Sequence, residues 1–264
     1  MTAEERVGPV SRETGAEGSV ELMVVGAGDA FGSGGRNQSA FLINLSSWSF
    51  LLDCGATTLV GLKRLGLDPD VIDAIFLSHF HGDHTAGIPF LFLEYQFLSE
   101  RKRPLIIAGP PGIEDRVEGL WRMMYIERQR TIERRFSVKY LELPSKSWTR
   151  IGPVEVLPLE VVHHHREVAY GYKVRVDGKL LGYSGDTEWT DTLTQLSEGC
   201  DLFICESYQY DRKFRFHLSY EEIKAHRSAL NCKRLLLTHL DTDALARIQD
   251  IQEEVAYDGM RLLL

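Results

Sequence analysis

Residues 78–84 read Ser-His-Phe-His-Gly-Asp-His, and no other stretch narrows the fold and chemistry of this chain as far. Three of its nine histidines fall in this one turn beside an aspartate. The apolar run Ala74–Leu77 leads into it, so the cluster stands where a buried strand surfaces. Side chains alternate along extended backbone, so His79 and His81 point the same way. Gly82 eases the turn that brings Asp83 and His84 in behind them. Imidazole and carboxylate together suit zinc, and also manganese or iron. A surface cluster arising by chance is a poor competitor, because so large a share of the histidines is concentrated here.

One turn cannot close a two-metal site, so further ligands are expected at other strand ends. Three segments qualify. Val161-Val162-His163-His164-His165 follows an apolar strand and precedes Tyr170-Gly171-Tyr172. Leu181-Gly182-Tyr183-Ser184-Gly185-Asp186-Thr187 ends a strand on an aspartate, and Leu235-Leu236-Leu237-Thr238-His239 ends one on a histidine. In each, a buried strand delivers a polar side chain at its exposed end.

The remaining pattern predicts an α/β protein. Strand-length apolar runs recur at Glu21–Val25, Ala40–Asn44, Ser49–Leu52, Leu105–Ala108, Val154–Pro158, Tyr170–Val176, Lys179–Tyr183, Leu202–Cys205 and Arg234–Leu237. Helical spacing covers Ile88–Leu98, Gly112–Tyr125 and Ser219–Leu230, the last opened by Ser219 with Glu222 three residues on, a capping box. Strands precede helices in each half, which predicts a four-layer αββα sandwich of two mixed β-sheets flanked by helices. Residues 1–18 are polar and read as a flexible tail without the apolar centre of a signal peptide, ahead of a single domain over 19–264. A cytoplasmic location is the default expectation. No run is apolar enough to span a membrane. The four cysteines form no CxxC pair and read as reduced. A formal charge of −8 lacks the basic footprint of a protein that grips nucleic-acid backbone. The apolar Ile88–Leu98 helix fits a core position and equally a homodimer surface.

The ordered set His-x-His-x-Asp-His, a later His, Gly185-Asp186 and Thr238-His239 resembles the metallo-β-lactamase superfamily, over most of the chain from Val20 to His239. That resemblance implies two divalent metal ions, zinc by default with manganese or iron as alternatives. One would be held by His79, His81 and His165, the other by Asp83, His84 and His239, with Asp186 bridging. The choice of His165 rests on the RNase Z branch, where the third histidine stands six residues before a Gly-Tyr pair. Strand alternation would also let His163 point the same way.

Several features are similar to the RNase Z group and its small phosphodiesterase relatives: Gly26-Ala27-Gly28, Leu52-Asp53-Cys54-Gly55, and His217-Leu218-Ser219, which resembles a turn that supplies a general acid. The glycines of residues 26–35 do not follow the GxGxxG spacing and are not followed by a helix, so a dinucleotide site is not expected. The expected mechanism has a metal-bridged hydroxide attack a phosphodiester, with Asp83 orienting it and taking its proton, and His217 protonating the leaving alkoxide. Arg212, Lys213 and Arg215 would bind substrate phosphate. Arg128, Arg130, Arg134 and Arg135 interleave with Glu127 and Glu133 and read as a solvated helix face. A small-molecule phosphodiester is the favoured substrate. RNA is the weaker alternative, because the RNase Z resemblance implies a tRNA-holding arm, and His165 and Asp186 are separated here by two strands and a turn alone. A thioester or lactone hydrolase on the same metals, and a non-catalytic metalloprotein, complete the field.

Overall fold

The computed structural model describes residues 20–125 and 133–264. The expected tail at 1–18, and Arg128 and Arg130, lie outside the described residues.

The first half runs β1 (Glu21–Gly26), β2 (Ala40–Asn44), β3 (Ser49–Leu52), α1 (Thr58–Arg64), β4 (Ala74–Phe76), α2 (Gly82–Thr85), α3 (Ile88–Phe97), β5 (Leu105–Gly109), α4 (Ile113–Tyr125) and β6 (Val138–Glu142). The second runs β7 (Thr149–Ile151), β8 (Val154–Val161), β9 (Ala169–Val176), β10 (Lys179–Tyr183), α5 (Thr192–Ser197), β11 (Cys200–Glu206), α6 (Tyr220–Ala225), β12 (Cys232–Thr238), α7 (Thr242–Ala246), β13 (Glu254–Val255) and β14 (Arg261–Leu263). One seven-stranded sheet has the order β14-β1-β2-β3-β4-β5-β6, the other β13-β12-β11-β10-β9-β8-β7. Both mix parallel and antiparallel pairs.

Alternation along the strands builds the layers. Leu22 and Val24 of β1 face the space between the sheets, where they meet Phe41, Phe76, Tyr172, Val174 and Leu202. Met23 and Val25, on the opposite face, join a second core under α1, α3 and α4 with Leu62, Phe92, Tyr95 and Trp121. Phe203 and Cys205 of β11 face a third core under α5 and α6, with Leu193, Leu196 and Ile223. Period-two side chains on strands buried on both faces thus give the expected αββα sandwich. All four cysteines are free.

Some element boundaries differ from the sequence expectation. The capping box at Ser219 forms, with the Ser219 hydroxyl accepting from Glu222 N–H and the Glu222 carboxylate from Ser219 N–H. The helix it opens ends at Ala225, short of Leu230. Arg134 is not on a solvated helix face. It contacts the Glu118 carboxylate, and its guanidinium lies 4.9 Å over the Phe92 ring. Strand β8 continues three residues past Pro158 to Val161, and this extension decides which histidine reaches the site.

Strands β10, β11 and β12 are mutually parallel, and β8 is antiparallel to β9, which is antiparallel to β10. The C-terminal ends of β8, β10, β11 and β12 therefore share one edge. The other sheet reaches that edge through β4, whose continuation is fastened to the second sheet. Tyr170 N–H donates to Ser78 O at 2.9 Å, and the Tyr172 hydroxyl donates to Leu77 O at 2.5 Å.

Candidate metal centre

Seven side chains that could ligate a metal through nitrogen or oxygen converge at that edge. His79 and His81 follow β4, and His81 caps the short α2 that carries Asp83 and His84. His163 follows β8, Asp186 follows β10, and His239 follows β12 with a left-handed φ of 64°. Among the described residues, His79, His81 and His163 bring one ligand atom each within 4.8 Å of one another, and so do Asp83, His84, Asp186 and His239. One oxygen, Asp186 Oδ2, joins the two groups. It lies 3.2 Å from His84 Nε2, 3.4 Å from His239 Nε2, 3.9 Å from His163 Nε2 and 4.0 Å from His79 Nε2.

Three outward ring nitrogens are tethered, whereas that of His239, Nδ1, is buried without a partner. His79 Nδ1 meets the Ser78 hydroxyl at 3.0 Å, His84 Nδ1 meets Asp53 at 2.7 Å, and His163 Nδ1 meets the Phe216 carbonyl at 3.0 Å. Asp53 is fully buried and also accepts Ser78 N–H, the Ser78 hydroxyl and the Tyr183 hydroxyl from the opposite sheet. With Nδ1 protonated toward Asp53, a neutral His84 aims its Nε2 lone pair at Asp83 and Asp186, each 3.2 Å away. Lone pairs facing at that distance repel unless a cation stands between them. His79 Nε2 and His84 Nε2 are both buried without a hydrogen-bond partner. Tethered outer nitrogens and orphaned inner ones are what metal-ligating histidines require, so these residues fit a pair of divalent ions.

The electrostatics agree. Burial lowers His79, His81 and His163, the last to about 4, which keeps them neutral as ligands must be. For Asp186 and Asp83, burial pushes toward protonation, but the surrounding histidines outweigh it and hold both carboxyls below their ordinary range. For His84 and His239 burial works downward, yet the carboxylates raise them. A metal would take the place of that proton.

The structure corrects one expected ligand. His165 is exposed and contacts the Arg215 guanidinium, whereas His163 is buried among His79, His81 and His217. Because β8 extends to Val161, alternation carries Val161 and His163 inward and leaves Val162 and His164 outside. The spacing to Gly171-Tyr172 runs across the loop at 162–168, between β8 and β9, so it does not fix which histidine faces the cluster.

His217 stands where the sequence suggested, beside the cluster. Its ring lies 4.9 Å from that of His163 and stacks 5.5 Å from that of His239. Its Nδ1 is 3.2 Å from Glu206 Oε2. Glu206, at the end of β11, was not anticipated, although its position obeys the same strand-end logic. Tyr208 was also missed, and its ring lies 4.8 Å from His217. Arg212, Lys213 and Arg215 sit on an exposed loop ahead of His217, where Lys213 pairs with Glu222 at 3.3 Å.

A family model described as Anti-Pycsar protein Apyc1 matches residues 20–256. The chain belongs to the Apyc1 family. This Apyc1-family chain is 26% identical over 268 residues to a Ribonuclease Z of Methanothermobacter thermautotrophicus, covering 84% of this chain and 87% of that protein. Human tRNase Z, short form (ELAC1), superposes with a TM-score of 0.74 at 25% identity, covering 92% of this chain and 98% of that one. The metallo-β-lactamase fold protein YhfI of Bacillus subtilis gives a TM-score of 0.76 at 22% identity, covering 93% and 99%. The Apyc1-family chain is thus a metal-dependent hydrolase of the metallo-β-lactamase superfamily, in its RNase Z and phosphodiesterase branch. Among the described residues, no helix is long and apolar enough to cross a membrane.

Proposed function

We propose that the protein is a phosphodiesterase acting on a small phosphodiester such as a cyclic nucleotide, and that the anti-Pycsar role named by its family model is exercised through this hydrolysis. His79, His81 and His163 would hold one divalent ion, zinc by default, and Asp83, His84 and His239 a second, with Asp186 shared. When bound, such a pair supplies Lewis acidity at the phosphoryl group and lowers the pKa of water to about 7. Asp83 orients the attacking water and takes its proton. His217, held through Nδ1 by Glu206, presents its other N–H to the leaving alkoxide. Arg212, Lys213 and Arg215 offer charge at the rim to steer an anionic substrate.

The observation that carries the reading is the Glu206–His217 pair set against the ligand cluster. Burial alone would lower His217, but the charge and hydrogen bond of Glu206 push it up to about 9. A histidine whose protonated form is favoured by Glu206, set beside the cluster, suits an alkoxide leaving group. A thiolate, being far less basic, needs no such donor. The names of the ribonuclease Z relatives favour RNA cleavage as a second reading. Against it, β9 and β10 join through the tight turn at Asp177-Gly178, leaving no arm between them.

Turnover of bis(p-nitrophenyl) phosphate, a cyclic nucleotide, a p-nitrophenyl ester, a thioester and a tRNA precursor, each with zinc or manganese, tests the proposal. Phosphodiester hydrolysis that falls sharply in His217→Ala is expected. Turnover of the ester or thioester alone, indifferent to His217, would replace it with a carboxyl-hydrolase reading. Cleavage of the tRNA precursor alone would favour the nuclease.

A further inference from the structure

We propose that Phe216 is a positioning residue that locks the metal ligand His163 and the proton donor His217 into one unit, through a left-handed backbone held by an exposed clamp. The inference rests on the roles assigned to those two histidines above. Phe216 has a φ of 69°, a conformation that L residues with bulky side chains rarely adopt. Such strain persists where the surroundings over-determine it, and it concentrates at functional sites.

Two sets of contacts hold it here. The backbone turns back on itself, with His217 N–H donating to Phe214 O at 3.1 Å. The Phe216 ring lies edge to face with His165 at 4.7 Å, while the Arg215 guanidinium sits 4.8 Å over it. Arg215 and His165 also contact each other. His165, which does not join the ligand cluster, thus has a place in the molecule as one jaw of this clamp.

The consequence for the site is specific. The Phe216 carbonyl is turned toward His163 and accepts its Nδ1–H at 3.0 Å. That bond puts the proton on Nδ1 and makes Nε2 the nitrogen with the lone pair, which lies 2.9 Å from His81 Nδ1 in the cluster. The very next residue is His217, whose ring is edge-on to His163 at 4.9 Å. Were Phe216 to relax to an ordinary negative φ, its carbonyl and the His217 side chain would rotate together, so ligand and donor would be lost at once.

The test uses the full chain. Metal-stripped wild type, Phe216→Ala and Phe216→Gly are titrated with zinc by calorimetry, and the loaded enzymes are assayed on bis(p-nitrophenyl) phosphate. Phe216→Ala should weaken one of the two zinc sites about 10–100-fold, the usual effect of losing an outer partner of a ligand. It should lower kcat more than it raises KM. Phe216→Gly should regain part of the zinc affinity, since glycine takes a positive φ without strain. It should not reach wild type, because the ring is gone. Arg215→Ala, at an exposed position, should weaken the same zinc site several-fold in the absence of any substrate. Wild-type zinc affinity and kcat in Phe216→Ala, no advantage of Gly over Ala, or an unmoved zinc site in Arg215→Ala would each overturn the proposal. Failure of the underlying roles would look different: a wild type with fewer than two zinc sites, or an active His217→Ala.

Discussion

Four imidazole nitrogens lie within 4.0 Å of a single oxygen, Asp186 Oδ2, and three of them belong to different strand ends. Asp186→Ala should therefore release metal from both halves of the site and cut hydrolysis by about 100-fold or more, as loss of a ligand rather than of an outer partner demands. Metal content by atomic emission and turnover of a phosphodiester check this together. Full metal content in that variant would show that the oxygen does not bridge. His217 poses a different question, because a proton donor works only while charged. The rate should fall as pH rises through its pKa, which Glu206 pushes up to about 9 against burial and which two neighbouring cations would pull back down. Glu206→Gln keeps an oxygen to accept from His217 and removes the charge. The alkaline limb of kcat/KM should then move to lower pH by on the order of one unit, or ~1.4 kcal/mol. An unmoved limb would assign the titration to another group.

At the level of elements, the turn that carries four ligands is seated by close backbone approach. A Cβ built on Gly55 would stand 2.4 Å from Asp83 O and 2.6 Å from Gln38 Cβ. A Cβ built on Gly87 would likewise stand 2.2 Å from Gly55 O. Gly55→Ala should displace α2, cost about 1–3 kcal/mol in denaturant unfolding, and weaken metal binding beyond what the stability loss explains. Unfolding curves and zinc titration of the same preparation separate the two effects. Unchanged zinc affinity would mean that α2 tolerates the shift. This scale is also where the sequence proved least legible. The Ser78–His84 turn could be read because all its ligands are local. The His163-His164-His165 run could not, because the answer depended on where β8 stops, and strand ends are set by pairing with β9 rather than by the residues themselves.

Across the molecule, the site exists only where two sheets meet. His79, His81, Asp83 and His84 come from one half, and His163, Asp186, Glu206, His217 and His239 from the other. Ions binding there bind the folded chain alone, so they stabilise it by mass action, ~2.7 kcal/mol per site at a hundredfold excess over Kd. Stripping the metal with a chelator should lower Tm by roughly 5–15 °C in a chain of this length. Re-addition of zinc should restore it. A Tm indifferent to chelator would argue that the two halves meet without help from the ions.

The layers of the fold and the metal-binding character of the site are written in the local sequence. Period-two burial on both sheet faces, strand ends rich in His and Asp, and the spacing inside one turn are local properties, written in neighbouring residues. Fold class is legible at that level. Six of the seven side chains that gather at the site, His79, His81, Asp83, His84, Asp186 and His239, stand out there as strand-end or turn residues, and the superfamily resemblance is what implies that they hold two ions. Every choice that depends on a partner distant in the chain waits for the folded molecule. It put His163 in place of His165, set Glu206 behind His217, ran Tyr183 across the sheets to Asp53, and held Phe216 at a positive φ. Each follows from strand register and from packing between the two halves, and a linear pattern carries no information about either.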